Sequence, residues 1–449
     1  MTLPNHSSSV RRTVAQHDPS LLCARRAGAL AEPPQTKIAV AMHDGFYGCT
    51  SGTGFSNRAF LEALVQALPP GRLLVIPVQV SRSDPSYDPA WTAETELILH
   101  RAQAHVVPVP GGRALTGYLA GCAALCAQVM DVAREHLAHA PNAELIGLDI
   151  PFLGLGGHYN ARDPFSLLLL PRSTTELTSP QQQRRIEWER RGMESAVRSG
   201  ARIAAISDHM AAHLKRVYGV PQRALVEIPN GLNPATPRST PPTTPLPQPA
   251  QDGFLLAMGR AVASKGFEDL LEAVRLLNAE GSRVPHLLLA PTSHGLSPND
   301  YQRRLRALMR HHRIDGTFVT RFSPGYRSWL ESPALRAVIV PSRAEPFGRI
   351  PLEAFAAGAA PVVATRAGGL TETVVDGVTG FTARPSDPAS LAAAMKRALR
   401  ITAREREQLR DRGKALLAAR HDYEATIRTY LHTYIPWSMN PNSVDAESA

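Results

Sequence analysis

Two carboxylates around a tight turn are the first residues of this sequence that can do chemistry. In the stretch "EPFGRIPLEAFAAG", Glu345 comes before a Phe-Gly turn, and Glu353 lies in the helix predicted to begin near Arg349. On a continuous helix this spacing leaves the two side chains roughly 80° apart, so we do not expect an acid–base pair. A loop carboxylate can instead accept hydrogen bonds from sugar hydroxyls, and a helical one can bind both hydroxyls of a ribose. The N–H groups near Phe347 and Gly348 can donate to a phosphate. The alternative is a structural role, with Glu353 favoured by the helix dipole and Glu345 solvated.

Two cations follow an earlier predicted strand. In "GRAVASKGFEDLLEA", Arg260 ends the strand, and Lys265 stands just before Gly266 and a helix with periodic apolar residues. The unpaired N–H groups of a helix N-terminus already favour an anion, so the two cations can share one with them. Read alone, they could be ordinary surface cations. The glutamate motif at an equivalent strand end favours a shared site.

Composition and charge limit the classes of protein. The chain has 449 residues, 49 Lys and Arg against 39 Asp and Glu, and a net charge of +10. This balance favours anionic partners such as nucleotides, phosphates, nucleic acid or an anionic membrane surface. Four cysteines make no disulfide framework in so long a chain, and no apolar run is long enough to span a membrane. We therefore expect a cytoplasmic protein.

Short apolar runs alternate with helical patterns along most of the chain, which predicts parallel sheets covered by helices on both faces. The segment "NPATPRSTPPTTPLPQPAQD" interrupts this pattern and reads as an extended linker. The fold class is therefore α/β, with two Rossmann-like, doubly wound domains facing a cleft. In the second of these domains, "LTETVVDG" predicts a helix over residues 370–377. The predicted boundaries are a disordered leader (1–35), an N-terminal domain (36–233), a Pro/Thr-rich linker (234–252), a C-terminal domain (253–421), a helix returning to the N-terminal domain (422–435) and a disordered tail (436–449).

Three stretches together resemble the retaining GT-B glycosyltransferases of family 4, of the glycosyl transferases group 1 type, whose signature is Glu-x7-Glu. They are "GRAVASKGFEDLLEA", "RALVEIPNGLN" and "VIVPSRAEPFGRIPLEAFAAGAAPVVATRAGGLTETVVDGVTGF". The resemblance covers nearly all of residues 252–434 and, more loosely, residues 36–233. It implies transfer of a sugar from a nucleotide-diphosphate sugar, expected to be a UDP-sugar, to an acceptor hydroxyl with retention of configuration. Such a reaction serves glycan, glycolipid or specialised-metabolite biosynthesis, and the composition suggests a bacterial source.

The resemblance also implies roles for single residues. Arg260 and Lys265 would neutralise the donor diphosphate, Glu353 would bind the ribose, and Glu345 would contact the donor sugar, so that Arg260, Lys265 and Glu345 form the catalytic set. The remaining donor-binding residues implied are Gly52, Gly54, Phe347, Gly348, Gly368, Gly369 and Leu370.

The acceptor side is less determined. The glycine loop reads "SGTG" rather than two adjacent glycines, and Arg172 stands where many relatives have a histidine. The candidates for the acceptor side are His43, His158 and Arg172. The sequence allows a small molecule, a glycan or a lipid as the acceptor. It also allows peripheral contact with a membrane.

We expect neither a metal ion nor another cofactor. Metal-dependent transferases hold their cation with an Asp-x-Asp triplet, and the sequence contains none. Preorganised cations such as Arg260 and Lys265 can stabilise a departing phosphate in its place.

Other motifs of the sequence bear on alternative functions. An epimerase or phosphorylase on the same fold remains an alternative, as does a basic nucleic-acid-binding protein, although no recognition module is present and nucleic acid is not an expected partner. "GTGFSN" lacks the third glycine of a dinucleotide fingerprint. His209 and His213 have the spacing of a metal pair, but no Glu follows His209, so we predict a polar helix face.

Overall fold

The computed structural model describes residues 38–49, 51–233, 244–293, 297–321, 323–359 and 361–439. The predicted leader, residues 234–243 of the predicted linker and residues 440–449 of the predicted tail lie outside the described residues. The described residues all belong to one compact unit. Among the described helices, none is both long enough and apolar enough to cross a bilayer.

The first domain is built on a sheet of seven parallel strands in the order β3-β2-β1-β4-β5-β6-β7. Its central strands are wholly buried and consist of apolar runs such as "IAVAM" and "LLVIP", as expected for a sheet covered on both faces. The chain order reverses between β1 and β4. The strands are Ile38–Met42 (β1), Leu73–Pro77 (β2), His105–Val106 (β3), Glu144–Leu148 (β4), Ser166–Leu170 (β5), Arg202–Ala205 (β6) and Leu225–Glu227 (β7).

Helices connect these strands and cover the sheet. A 3-10 segment, Ile150–Gly157, follows β4, and a shorter one, Gln222–Ala224, precedes β7. The α-helices are Gly52–Ala67 (α1), Pro89–Arg101 (α2), Arg113–Thr116 (α3), Leu119–Leu137 (α4), Thr175–Thr178 (α5), Gln183–Arg198 (α6) and Asp208–Tyr218 (α7).

The second domain repeats the architecture with six parallel strands in the order β10-β9-β8-β11-β12-β13. The prediction of two doubly wound α/β domains is therefore confirmed. The strands are Phe254–Arg260 (β8), His286–Thr292 (β9), Gly316–Phe318 (β10), Leu335–Val340 (β11), Val362–Thr365 (β12) and Phe381–Ala383 (β13).

The helices of this domain include one that is shorter than predicted. The helix predicted over residues 370–377 ends at Thr373, because Val374 has an extended backbone and Gly377 has a φ of 70°. The helices are Phe267–Ala279 (α8), Asp300–His311 (α9), Arg349–Ala356 (α10), Leu370–Thr373 (α11), Pro388–Leu399 (α12), Ala403–Arg420 (α13) and Tyr423–Tyr434 (α14). The 3-10 segments are Gln248–Ala250, Ala263–Lys265, Pro324–Trp329 and Pro436–Ser438.

The last helix, α14, packs on α1 of the first domain. Tyr423 is fully buried, and its ring lies 6.2 Å from that of Phe60 on α1. Two backbone hydrogen bonds of 3.0 Å tie the start of α14 to the end of the first domain, from Leu232 to His421 and from Tyr423 to Leu232. The chain thus crosses between the domains twice, at the linker and again before α14.

The 3-10 segment after β4 lies unusually close to α6. A Cβ on Gly156 would overlap the carbonyl oxygen of Gly192 on α6, and a Cβ on Gly192 would overlap the carbonyl oxygen of Leu153. Close backbone approach of this kind requires glycine on both sides. It fixes the segment that leaves the carboxyl end of β4, at the edge of the cleft.

We expect Gly156→Ala to lower the free energy of unfolding by about 1–3 kcal/mol, because the added methyl group overpacks a backbone contact. Gly157→Ala is the matched control, since a Cβ at Gly157 meets no atom within 4 Å. Urea denaturation of both variants measures the difference. Equal stabilities for the two variants would contradict the packing described.

Candidate active site

The carboxyl ends of both sheets meet at a cavity of about 210 Å³. The first domain contributes the start of α1, with Gly52 and Ser56, and Arg172 beyond β5. The second contributes Arg260 and Lys265 from beyond β8, together with the loop and helix that follow β11. Ligands of doubly wound sheets bind at such strand ends.

Lys265 and Glu345 form an ion pair inside the cavity. The Lys265 ammonium contacts the Glu345 carboxylate directly, and Ser342 donates to the same carboxylate at 3.2 Å. The two side chains are 15% and 13% exposed, so both can still be reached from the cleft. Arg260, at the end of β8, lines the same cavity and is exposed.

Glu353 lies in the second turn of α10 and pairs with Arg349 at the start of that helix. The Arg349 Nε lies 3.4 Å from a carboxylate oxygen of Glu353, and its Nη1 donates to the hydroxyl of Ser56 at 3.0 Å. Arg349 therefore reaches across the cleft to α1 of the first domain. Burial lowers the pKa of Arg349; Glu353 opposes this effect, and Arg327 and Arg172 add to it.

Arg349 and Arg327 are functional candidates that the sequence did not reveal. Arg349 could have been found, because it precedes Glu353 by four residues and such pairs share one helix face. Arg327 belongs to the 3-10 segment Pro324–Trp329 and lines the cavity. Its Nη1 is buried without a hydrogen-bond partner among the described groups. No motif marks this residue in the sequence.

The turn before α10 is held from behind by a second glycine turn. Gly348 has a φ of 92° and packs against Leu370, while Gly369 donates a 3.0 Å hydrogen bond to the carbonyl of Glu345. Gly368 has a φ of 55°, and a Cβ there would overlap the same carbonyl. Gly368, Gly369 and Leu370 thus support the loop and are not among the residues that line the cavity, whereas Phe347 and Gly348 line it.

Of the two glycines in the predicted glycine loop, Gly52 and Gly54, only the first is among the residues that line the cavity. Gly52 lines the cavity, with the aliphatic part of Arg349 close to it. Gly54 packs on the carboxylate of Asp44, and Ser51 caps α1 by accepting from the Gly54 N–H at 3.4 Å. The loop therefore places a helix N-terminus at the cavity wall.

The three candidates for the acceptor side lie in different surroundings. Arg172 is buried, lines the cavity and donates to Asn57, Asn230 and Tyr423. His43 directly follows β1. His158 is exposed, and its carbonyl accepts from Arg134 on α4. Of the three candidates only Arg172 is among the lining residues, so the structure does not bring His43 or His158 to the cavity.

The predicted polar face at His209 and His213 is wrong for His213. That imidazole is 1% exposed and hydrogen-bonds Thr174 at 2.8 Å, because α7 turns it into the domain. Burial, with His209 beside it, lowers the pKa of His213 to about 4.

The N-terminus of α7 is capped from the other domain. Glu372, on α11, accepts from the backbone N–H groups of Asp208 at 3.0 Å and His209 at 2.9 Å. Burial raises the pKa of Glu372, and the two N–H groups act against that rise. Next to it, Ser207 donates to the carbonyl of Pro346 at 2.9 Å. These contacts hold the two sides of the cleft together.

Residues 244–416 match the family described as Glycosyl transferases group 1. Among curated proteins, the chain is 29% identical over 333 residues to the D-inositol 3-phosphate glycosyltransferase of Geodermatophilus obscurus, covering 70% of this chain and 71% of that one. Several further relatives are matched over about half of their own length.

Two solved structures resemble the whole arrangement. Sucrose-phosphate synthase from Thermosynechococcus elongatus superposes with a TM-score of 0.67 at 21% identity, covering 89% of this chain and 99% of that one. Anabaena HepE, solved in complex with UDP and glucose, gives a TM-score of 0.63 at 19% identity with the same coverage. Residues 244–416 therefore match the glycosyl transferases group 1 family, and the two domains of the chain have the GT-B fold.

Proposed function

We propose that the protein transfers a sugar from a nucleotide-diphosphate sugar, with UDP-sugar as the donor, to an acceptor hydroxyl. One observation supports this most directly: a single cavity between the domains contains Arg260, Lys265, Glu345 and Glu353 together with the N-terminus of α1. Such a cavity offers cations for a diphosphate and carboxylates for hydroxyls. The UDP complex of HepE supports the choice of base.

In the proposed reaction the diphosphate leaves with the electron pair of its bond to the anomeric carbon. Negative charge grows on the departing phosphate, and Arg260 and Lys265 are placed to stabilise it. Because Lys265 is already held by its ion pair with Glu345, little reorganisation of this cation is needed when that charge appears. The proposed role of the N–H groups at the start of α1 is the same, on the other side of the cavity.

The two glutamates are proposed to recognise hydroxyls while they position cations. Glu345 would accept hydrogen bonds from the donor sugar and also orient Lys265, its ion-pair partner. Glu353 would accept from the ribose hydroxyls and share its carboxylate with Arg349. Arg349 would thereby connect the bound nucleotide to Ser56 in the first domain.

We propose that Gly52, Gly54, Phe347, Gly348, Gly368, Gly369 and Leu370 form or support the donor site, and that the first domain receives the acceptor. A cytoplasmic location is proposed as well, which the buried thiols of Cys122 and Cys126 support because they are not disulfide-bonded.

Nucleotide binding tests the proposal before any acceptor is known. UDP at 100 times its dissociation constant should add ~2.7 kcal/mol to the free energy of unfolding, and it should raise the midpoint of thermal unfolding. Uridine should have a much smaller effect, because the cations of the cavity would contact the phosphates. No effect of UDP, or an equal effect of uridine, would refute the proposed donor site.

Replacing either phosphate-binding cation should slow transfer strongly. For Arg260→Met and Lys265→Met we expect kcat to fall about 100-fold, equivalent to ~3 kcal/mol of lost transition-state stabilisation. The measurement is UDP release from UDP-glucose in the presence of an acceptor. The matched control is Arg283→Met, which removes an exposed cation of the same domain and should leave the rate unchanged. Full turnover by Arg260→Met or Lys265→Met would exclude the assigned role.

Two further features of the reaction are proposed: it needs no metal ion, and it retains the anomeric configuration of the donor. Metal independence follows from the proposed contacts of Arg260 and Lys265 with the phosphates, so EDTA should leave the rate of UDP release unchanged. Loss of activity that Mg²⁺ restores would contradict it. Retention rests on the family resemblance alone. It requires that the product has the anomeric configuration of the donor, which NMR of the product measures.

A further inference from the structure

The donor loop, residues 345–348 between β11 and α10, is held from both domains. Two neighbouring carbonyls of the loop accept hydrogen bonds. The carbonyl of Glu345 accepts from the N–H of Gly369 at 3.0 Å, within the second domain. The carbonyl of Pro346 accepts from the hydroxyl of Ser207 at 2.9 Å, and Ser207 lies between β6 and α7 of the first domain. The first domain therefore supplies one of the contacts that fix this loop.

The hydroxyl of Ser207 makes two hydrogen bonds at once. Its oxygen accepts from the N–H of Met210 at 3.0 Å, which caps α7, and its proton is donated to the carbonyl of Pro346. Ser207 is buried, so water has little access to either bond. The end of α7 thus sets the direction of the Pro346 carbonyl.

The Pro346 carbonyl belongs to the same peptide group as the N–H of Phe347. This group is planar, and in its trans form the carbonyl and the N–H point in opposite directions. Holding the carbonyl toward α7 therefore turns the Phe347 N–H away from α7. No described group accepts a hydrogen bond from this N–H, and Pro346, Phe347 and Gly348 all line the cavity. A ligand of the cavity can supply the missing acceptor.

Glu372 fastens the end of α7 to the second domain. Its carboxylate accepts from the N–H groups of Asp208 at 3.0 Å and His209 at 2.9 Å. Glu372 belongs to α11, whose N-cap residue is Gly369, so it is attached to the same turn that supports the donor loop from behind. A Cβ on Gly368 of that turn would lie 3.1 Å from the ring of His209. The donor loop, the glycine turn and the end of α7 therefore form one junction.

We infer that Ser207 and Glu372 are positioning residues for sugar transfer: Ser207 directs the Phe347 N–H to the sugar of the bound donor, and Glu372 keeps Ser207 in place. The inference rests on the proposed function, in which Glu345 of the same loop reads the donor sugar. It deepens that function, because the first domain would contribute to reading the donor sugar as well as to receiving the acceptor.

Comparison of UDP with a UDP-sugar isolates the contact to the sugar. The probes are UDP, UDP-glucose, UDP-galactose and UDP-N-acetylglucosamine, and titration calorimetry measures their dissociation constants. The UDP-sugar that the wild type binds most tightly is used for the comparison. For Ser207→Ala and for Glu372→Ala we expect its dissociation constant to rise about 3- to 10-fold, as for one misdirected hydrogen bond. The dissociation constant of UDP should not change, because UDP has no sugar at this end.

Three further variants separate positioning from a loss of stability. Ser207→Thr keeps the hydroxyl and should bind the UDP-sugar as the wild type does. Thr402→Ala is the matched control, since it removes the hydroxyl that caps α13 at an exposed position; it should lower the unfolding temperature and leave both dissociation constants unchanged. The double variant Ser207→Ala/Glu372→Ala should bind the UDP-sugar no more weakly than the weaker single variant, because both residues act on one contact.

The outcomes distinguish this inference from the proposed function. Wild-type affinity of both single variants for the UDP-sugar, or an equal loss of affinity for UDP, would overturn the positioning role. Additive losses in the double variant would overturn the joint action of Ser207 and Glu372. If Ser207→Ala does not fold, Glu372→Ala decides, because Ser207 still caps α7 in that variant. If the wild type binds UDP no better than uridine, the proposed donor site fails instead.

Discussion

A buried guanidinium joins three segments at the junction of the two domains. Arg172 donates to Asn57 on α1, to Asn230 after β7 and to Tyr423 on α14, and all three acceptors are neutral oxygen atoms. A buried charge is tolerable only when dipoles of this kind replace its hydration. The three contacts therefore fix together the start of α1, the exit of the first domain and the returning helix. Arg172 also donates to the carbonyl of Ser56, so it positions the start of α1 that lines the cavity.

Two cations of the cavity are paired with carboxylates before any ligand arrives. Lys265 is paired with Glu345, and Arg349 is paired with Glu353. A ligand with a diphosphate and several hydroxyls could divide its groups between the members of each pair without leaving a buried charge alone. This arrangement explains how a basic chain uses two acidic residues at one turn. The carboxylates hold the cations in place and keep their own acceptor capacity for hydroxyls.

The architecture was largely readable from the sequence, because buried strands appear as short apolar runs such as "SLLLL" between helical periods. The motif around Glu345 and Glu353 also predicted a loop and a helix that the structure contains. Side-chain direction was harder to predict. The pattern of α7 did not show that His213 points inward, and nothing local shows that Arg327 reaches the cavity. The positive φ of 77° at Asp149, directly after β4, could not be predicted either, since it arises from the pairing of β4 with β5 and from the packing of the following segment.

The cap that Glu372 places on α7 has a consequence for the motion of the two domains. Opening of the cleft would separate this carboxylate from the N–H groups of Asp208 and His209, while Ser207 would still cap the helix by accepting from the N–H of Met210. The free-energy difference between the closed and the open cleft therefore includes the rehydration of this carboxylate and of the two N–H groups. Release of a product through an open cleft would require these two hydrogen bonds to break. The time for which a ligand stays enclosed would then depend on Glu372, which is not among the residues that line the cavity.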